Sequence, residues 1–255
     1  MLRTRVIPCL LLRNRGLVKT VRFKDPTYLG DPINAVKIFN DKEVDELIFL
    51  DIKATVENRE PPFNLISGIA SECFMPFCYG GGIKSLKDIQ SILNLGVEKV
   101  SVNSYAAENP HFVRAAADLV GRQSIVVSLD VKKHLSGQYE VFSRGGEKPT
   151  GLNPVQFAIE MEKMGAGELL LNSIDRYGTM AGYDLELIKS VTESVSIPVV
   201  ACGGAGKLED FSDAVREGGA SAVAAGSLFV FQGRLRGVLI NYPSPNDLQK
   251  TLSLT

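Results

Sequence analysis

MPFCYGGGIKSLKDIQSILNLGVEKVSVNS, residues 75–104, and IPVVACGGAGKLEDFSDAVREGGASAVAAG, residues 197–226, are two versions of one passage set 122 residues apart. Gly81 meets Gly203, Gly82 meets Gly204, Asp88 meets Asp210 and Gly96 meets Gly218. The apolar positions follow: Leu86, Ile89, Ile92 and Leu93 fall on Leu208, Phe211, Ala214 and Val215. Each copy reads as an apolar strand, a glycine turn, an amphipathic helix and a second strand. A repeated unit of this kind predicts a parallel barrel assembled from two similar halves.

The rest of the chain extends that pattern. Strands are expected near Arg5–Leu11, Glu46–Ile52, Pro76–Tyr79, Lys99–Asn103, Ser124–Asp130, Glu168–Ile174, Pro198–Cys202 and Ala220–Ala225. They are nearly continuous runs of Val, Ile and Leu, as strands buried on both faces are. Helical patterns separate most of them. Eight such units in 255 residues predict a single (β/α)8 TIM barrel, with half-barrels at about 1–122 and 123–242 and a tail at 243–255. An open doubly wound sheet is the competing arrangement, and the half-barrel repeat disfavours it. Leu12–Asp31 and Lys132–Gly151 are long connections in equivalent places of the two halves, where barrels build active sites. A short helical stretch closes the tail.

Lys+Arg 28 against Asp+Glu 29 gives no basic excess, so neither nucleic acid nor an anionic membrane is an expected partner. Cys9, Cys73, Cys78 and Cys202 form no CxxC pair and read as free, mostly buried thiols. His111 and His134 lack metal-ligand spacing, so no metal is expected, and no cofactor is called for. The absence of a membrane-length apolar run and of a leader pattern points to the cytoplasm.

Gly80-Gly81-Gly82 and Gly203-Gly204 each follow a strand and precede a helix, the setting in which backbone amides approach an anion. Asn103-Ser104 and Gly226-Ser227, after the next strands, would complete the two sites. Either pair of glycines alone could be a tight turn and nothing more. Two copies in register favour two anion sites, and so a long phosphorylated ligand gripped at both ends.

With these residues in view, the chain resembles the HisF family, the cyclase subunit of imidazole glycerol phosphate synthase. The resemblance covers nearly the whole chain. It rests on Ile7-Pro8-Cys9-Leu10, Phe49-Leu50-Asp51-Ile52, Gly80-Gly81-Gly82-Ile83, Lys99-Val100-Ser101-Val102-Asn103, Pro149-Thr150-Gly151, Gly165-Ala166-Gly167-Glu168, Ser173-Ile174-Asp175-Arg176 and Gly203-Gly204-Ala205-Gly206. It implies a barrel whose top face binds a bis-phosphate, with a HisH-type glutaminase docked on the bottom and ammonia passing along the axis. It also implies an ammonia gate at Arg5, Glu46, Lys99 and Glu168. Each of these opens an apolar strand, two positive and two negative. Read without the family they would be ordinary rim charges. Lys19, Asp51 and Gly178 join the glycine sites as implied ligand contacts.

The departures matter as much. The family places an aspartate at the end of the first strand of each half, as acid and base of ring closure. Asp130 is present, but its counterpart is Leu11. Losing a positioned acid or base costs on the order of 10²–10⁴ in rate. Tyr177 stands where the family has an acidic residue, Asn172 where it usually has threonine, and Cys202 where it has serine. The pattern is similar to a HisF-like branch associated with amidated surface sugars. That resemblance implies a barrel that takes ammonia from its glutaminase and works beside a separate ATP-dependent sugar amidotransferase to form an acetamidino group. Two other readings stay open: a histidine-pathway cyclase in which Asp51 replaces the lost carboxylate, and a non-catalytic scaffold that activates a glutaminase. Asp51 could equally be a strand-end residue that bonds loop amides.

Overall fold

A computed structural model describes residues 4–233 and 235–253. The ends of the expected halves and tail at residues 1–3, 254 and 255 lie outside the described residues, as does residue 234. The eight barrel strands are β1 (Arg5–Arg13), β2 (Leu47–Asp51), β3 (Phe77–Gly80), β4 (Lys99–Val102), β5 (Ile125–Lys133), β6 (Glu168–Ser173), β7 (Val199–Cys202) and β8 (Ala222–Ala225). Each pairs in parallel with its sequence neighbours, and β8 closes on β1 through Arg5↔Ala222 to Pro8↔Ala225. The fold is therefore the closed (β/α)8 barrel expected from the repeat, not an open sheet. The helices are α1 (Pro32–Asp41), α2 (Phe63–Glu72), α3 (Leu86–Asn94), α4 (Pro110–Val120), α5 (Pro154–Lys163), α6 (Leu185–Thr192), α7 (Glu209–Arg216) and α8 (Pro245–Ser253). Short helices follow β4 (Ser104–Glu108) and β8 (Ser227–Val230). No helix among the described residues is long and apolar enough to cross a membrane.

Strand alternation divides the core in two. Val6, Leu10 and Leu12 of β1 pack outward against the helical layer. Ile7, Cys9 and Leu11 turn inward, to meet Ile48, Cys78, Val126, Leu170, Val200, Cys202, Ala222 and Ala224 in the lumen. Cys9, Cys78 and Cys202 are buried free thiols and Cys73 is half-buried.

The two long connections are not irregular loops, as their length suggested. After β1 the chain forms a hairpin of Gly16–Val21 and Lys24–Gly30, with Leu11 opposite Val18. Val21 pairs with Lys24 across Arg22 and Phe23, both at positive φ (50° and 63°). That is the twist a two-residue hairpin turn requires, supplied here without glycine. In the second half β5 runs on past Asp130 and pairs with Tyr139–Ser143, placing Asp130 opposite Phe142.

Each glycine turn leads into a helix start held by the aspartate of the repeat. Asp88 caps α3 by accepting from the amides of Lys84 and Ser85, and Asp210 accepts from those of Gly206 and Lys207 before α7. The matched aspartates of the repeat thus tie the residues just beyond the glycines to the starts of α3 and α7. Gly81 is needed for a close approach: at φ 122° a Cβ there would lie 2.5 Å from the Asp51 carbonyl oxygen. Gly81→Ala is expected to destabilise the barrel by about 2 kcal/mol, lowering the thermal midpoint by roughly 4–8 °C. An unchanged melt would show that the β2 and β3 ends can separate freely.

Candidate functional site

At the amino-terminal mouth of the barrel, β1, β2, β4 and β6 bring Arg5, Glu46, Lys99 and Glu168 together. Lys99 Nζ lies 2.9 Å from Glu46 Oε1 and 2.9 Å from Glu168 Oε2, and Arg5 is hydrogen-bonded to both carboxylates. Glu46 and Glu168 are buried. Burial lowers the pKa of Arg5 and Lys99, but the two carboxylates outweigh it and hold both cations above their ordinary values. Each charge in the ring is compensated by two of opposite sign, which is what lets four charges sit in a mouth this dry. The four residues face inward together rather than spreading around the rim. Above them the lumen is apolar.

At the opposite end the lumen opens into a cavity of about 270 Å³. The β3 turn (Gly80–Gly82), Asn103, Ser104, Arg144 and Lys84 line one side; Leu11, Asp130, Asn172 and Tyr177 line the other. Asp130 Oδ1 accepts a 3.2 Å hydrogen bond from Asn172 Nδ2. Burial raises the Asp130 pKa to about 7, against a smaller lowering by Asn172. Leu11, 4% exposed, offers no proton partner.

Asp51 borders the cavity but is already engaged. Its Oδ1 accepts from the amides of Lys53 and Ala54 at 3.0 Å, and Arg59 lies 3.4 Å away. This is the loop-bonding arrangement, and Asp51 is held in it rather than turned toward Leu11. Lys19 is buried among the upper lumen residues. Its Nζ donates to the Tyr177 hydroxyl at 2.5 Å and sits 3.9 Å from that ring's centre. Burial lowers Lys19 to about 8, partly opposed by Cys9 and Cys202. The ammonium lies directly against Gly226, where a Cβ would be 2.1 Å from Nζ. Of the second-half glycines only Gly226 meets Lys19; Gly203 lies against Ser173 and Asn172, and Gly204 against Gly182 and Arg176. Gly178 instead packs under the hairpin, 2.2 Å from Thr20 O at its Cβ position.

Sequence reasoning named Asn172 only as a departure from the family and passed over Thr20, Ser101 and Phe23. Thr20, Ser101 and Asn172 border the cavity, are almost fully buried, and carry Oγ1, Oγ and Oδ1 atoms with no protein partner. Ser227 Oγ is likewise unpartnered beside the second glycine cluster. Buried polar atoms left open in this way cost about 1–3 kcal/mol each unless something fills them. Phe23, at the hairpin tip, packs edge-on to Tyr177 at 5.2 Å and covers the lumen. Only the inward period of each strand could have signalled Ser101; nothing in sequence linked Thr20 or Phe23 to β6.

A closed barrel with a charged mouth, an apolar axis and a polar cavity at the strand ends defines a (β/α)8 barrel of the enzyme type. The family described as "Histidine biosynthesis protein" matches residues 5–236. The chain is 53% identical over 248 residues, 97% of its length and 99% of the relative, to a Pseudomonas aeruginosa protein provisionally named imidazole glycerol phosphate synthase subunit hisF2. It is 51% identical over 255 residues, 100% of its length and 98% of the relative, to the similarly provisional hisF3 of Vibrio vulnificus. It is 47% identical over 231 residues, 91% of each chain, to imidazole glycerol phosphate synthase subunit HisF of Hyphomonas neptunium. The chain belongs to the HisF family.

The raised Asp130 pKa carries a pH signature. The neutral carboxyl is tolerated in the fold, and its ionisation is penalised between the unfolded value near 3.9 and about 7. Stability from this group is thus full below about pH 4 and is lost as pH rises through 7. Asp130→Asn should raise the thermal midpoint at pH 8 while leaving it nearly unchanged at pH 4; equal shifts at both pH values would contradict the assignment.

Proposed function

We propose that this chain is the ammonia-receiving synthase subunit of a glutamine amidotransferase, conveying ammonia from a HisH-type glutaminase along the barrel axis. The observation that carries the reading is the lumen: a compensated ring of charge at one mouth, hydrocarbon walls, and a cavity at the exit that Asp130 and Leu11 both line. Neutral ammonia needs no acid or base to pass apolar walls, whereas ring closure needs two. Asp51 does not supply the second, being bound by two amides and Arg59. The relatives' names, as subunits of imidazole glycerol phosphate synthase, support a partner on the mouth that carries the ring. The ammonia serves amidation of a surface-polysaccharide sugar, giving an acetamidino group with a separate ATP-dependent amidotransferase.

In this reading Arg5, Glu46, Lys99 and Glu168 are the gate. Gly81, Gly82, Asn103 and Ser104 seat one anionic end of a phosphorylated ligand in the main cavity. Lys19, Gly203, Gly204, Gly226 and Ser227 take a second anion: a buried cation without a carboxylate and an open Ser227 hydroxyl both call for one.

With excess ammonium and the open-chain ribulosyl aminoimidazole substrate, the protein should cyclise at least about 10²-fold more slowly than a family member with both aspartates. Rapid turnover would overturn the reading. Leu11→Asp should restore part of that rate. Lys99→Ala and Glu46→Ala should each abolish glutamine-driven transfer while added ammonium still serves, read as product formed per glutamine hydrolysed. Unchanged coupling would remove the gate.

A further inference from the structure

The most exposed aromatic side chain among the described residues is Phe74, at 85%. It lies between α2 and β3, immediately before the strand begins, so it stands at the same end of the barrel as the charged ring. The backbone that carries it is held on every side. Phe74 N donates to Asn40 Oδ1 at 3.2 Å, and Asn40 Nδ2 returns to Glu72 O at 2.6 Å. Cys73 N bonds Ile69 O at 3.0 Å, Cys73 Sγ bonds Met75 O at 3.3 Å, and Pro76 O accepts from Leu47 N at 3.0 Å. The loop is ordered by its neighbours while its one large side chain is left in water. Single exposed apolar residues are common on surfaces. A phenyl ring on a braced loop is different, because the backbone ordering is already spent in the free protein and only the ring's own torsions remain to be fixed, and aromatic groups dominate interface energies.

The charged ring shows what must cover this end. Ammonia entering there is neutral only while kept from bulk water, so its donor has to seal the mouth around the ring. We propose that Phe74 is the aromatic anchor by which this barrel engages its glutaminase, inserted into an apolar pocket on that partner. The proposal rests on the reading of the chain as an ammonia-receiving subunit, and it identifies the contact that holds the two together. Charge at the gate then tunes transfer, and the phenyl ring supplies affinity.

The test is calorimetric titration with the purified HisH-type glutaminase of the same organism. Phe74→Ala should weaken binding by at least about thirtyfold, Phe74→Trp should retain it within about threefold, and Leu135→Ala at the opposite end should leave it unchanged. Lys99→Ala should bind nearly as well as the unaltered chain yet lose glutamine-driven transfer. Phe74→Ala binding as tightly as the unaltered chain would overturn the anchor and leave the glutaminase partnership standing. No binding by any form would overturn both. Sedimentation showing a dimer of this chain that Phe74→Ala dissociates would assign the ring to self-association and overturn the proposal. Phe74 touches no core, so the variants should melt with the unaltered protein, and matched melts separate lost contact from lost fold.

Discussion

Closure of β8 onto β1 is the constraint from which the site follows. Once the sheet is a cylinder, every second residue of each strand points into a space too narrow for bulk water. At the amino-terminal mouth the buried carboxylates of Glu46 and Glu168 must be answered by Arg5 and Lys99, since an unpaired charge with little access to solvent is costly. In the middle the same geometry admits only Ile7, Ile48, Val126, Leu170 and residues like them. At the carboxyl end the strands part, and the inward positions Ser101, Asp130 and Asn172 line a cavity.

Substitutions at this upper level change the chemistry while leaving the cylinder intact. Leu11 fits its place because its neighbours Val18 and Leu50 are apolar, so the barrel has no stability reason to keep a carboxylate there. Asp130 faces the same cavity without a second carboxylate at Leu11. Burial holds it near neutrality and Asn172 steadies it. Tyr177 fills space beneath the first hairpin, meeting Phe23 edge-on and accepting from Lys19. The apolar lumen, the charged ring and the glycine turns are therefore separable from the residues that line the upper cavity.

Much of this was legible in the chain. The repeat gave strand, turn and helix in register, and the charges opening four strands marked the mouth. Asp51 shows where legibility ended: sequence allowed it to be either a replacement base or a loop tie. Its partners Lys53, Ala54 and Arg59 lie close along the chain, but the choice depends on the direction in which the carboxylate points. The hairpins were misjudged as loops because Arg22 and Phe23 make a tight turn without the usual glycine or asparagine.

What the sequence determined by itself was the period of its apolar residues and the order of its turns, because these are local properties of φ, ψ and side-chain size. Which side chains face one another was decided only by closing the barrel. Lys19 and Phe23 both reached Tyr177 across more than 150 residues of chain. The matched aspartates of the repeat took the amides of Ser85 and Gly206 at the helix starts. Local pattern limits what each segment can become; partnership between distant segments is fixed by the shared, water-poor interior they are made to fill.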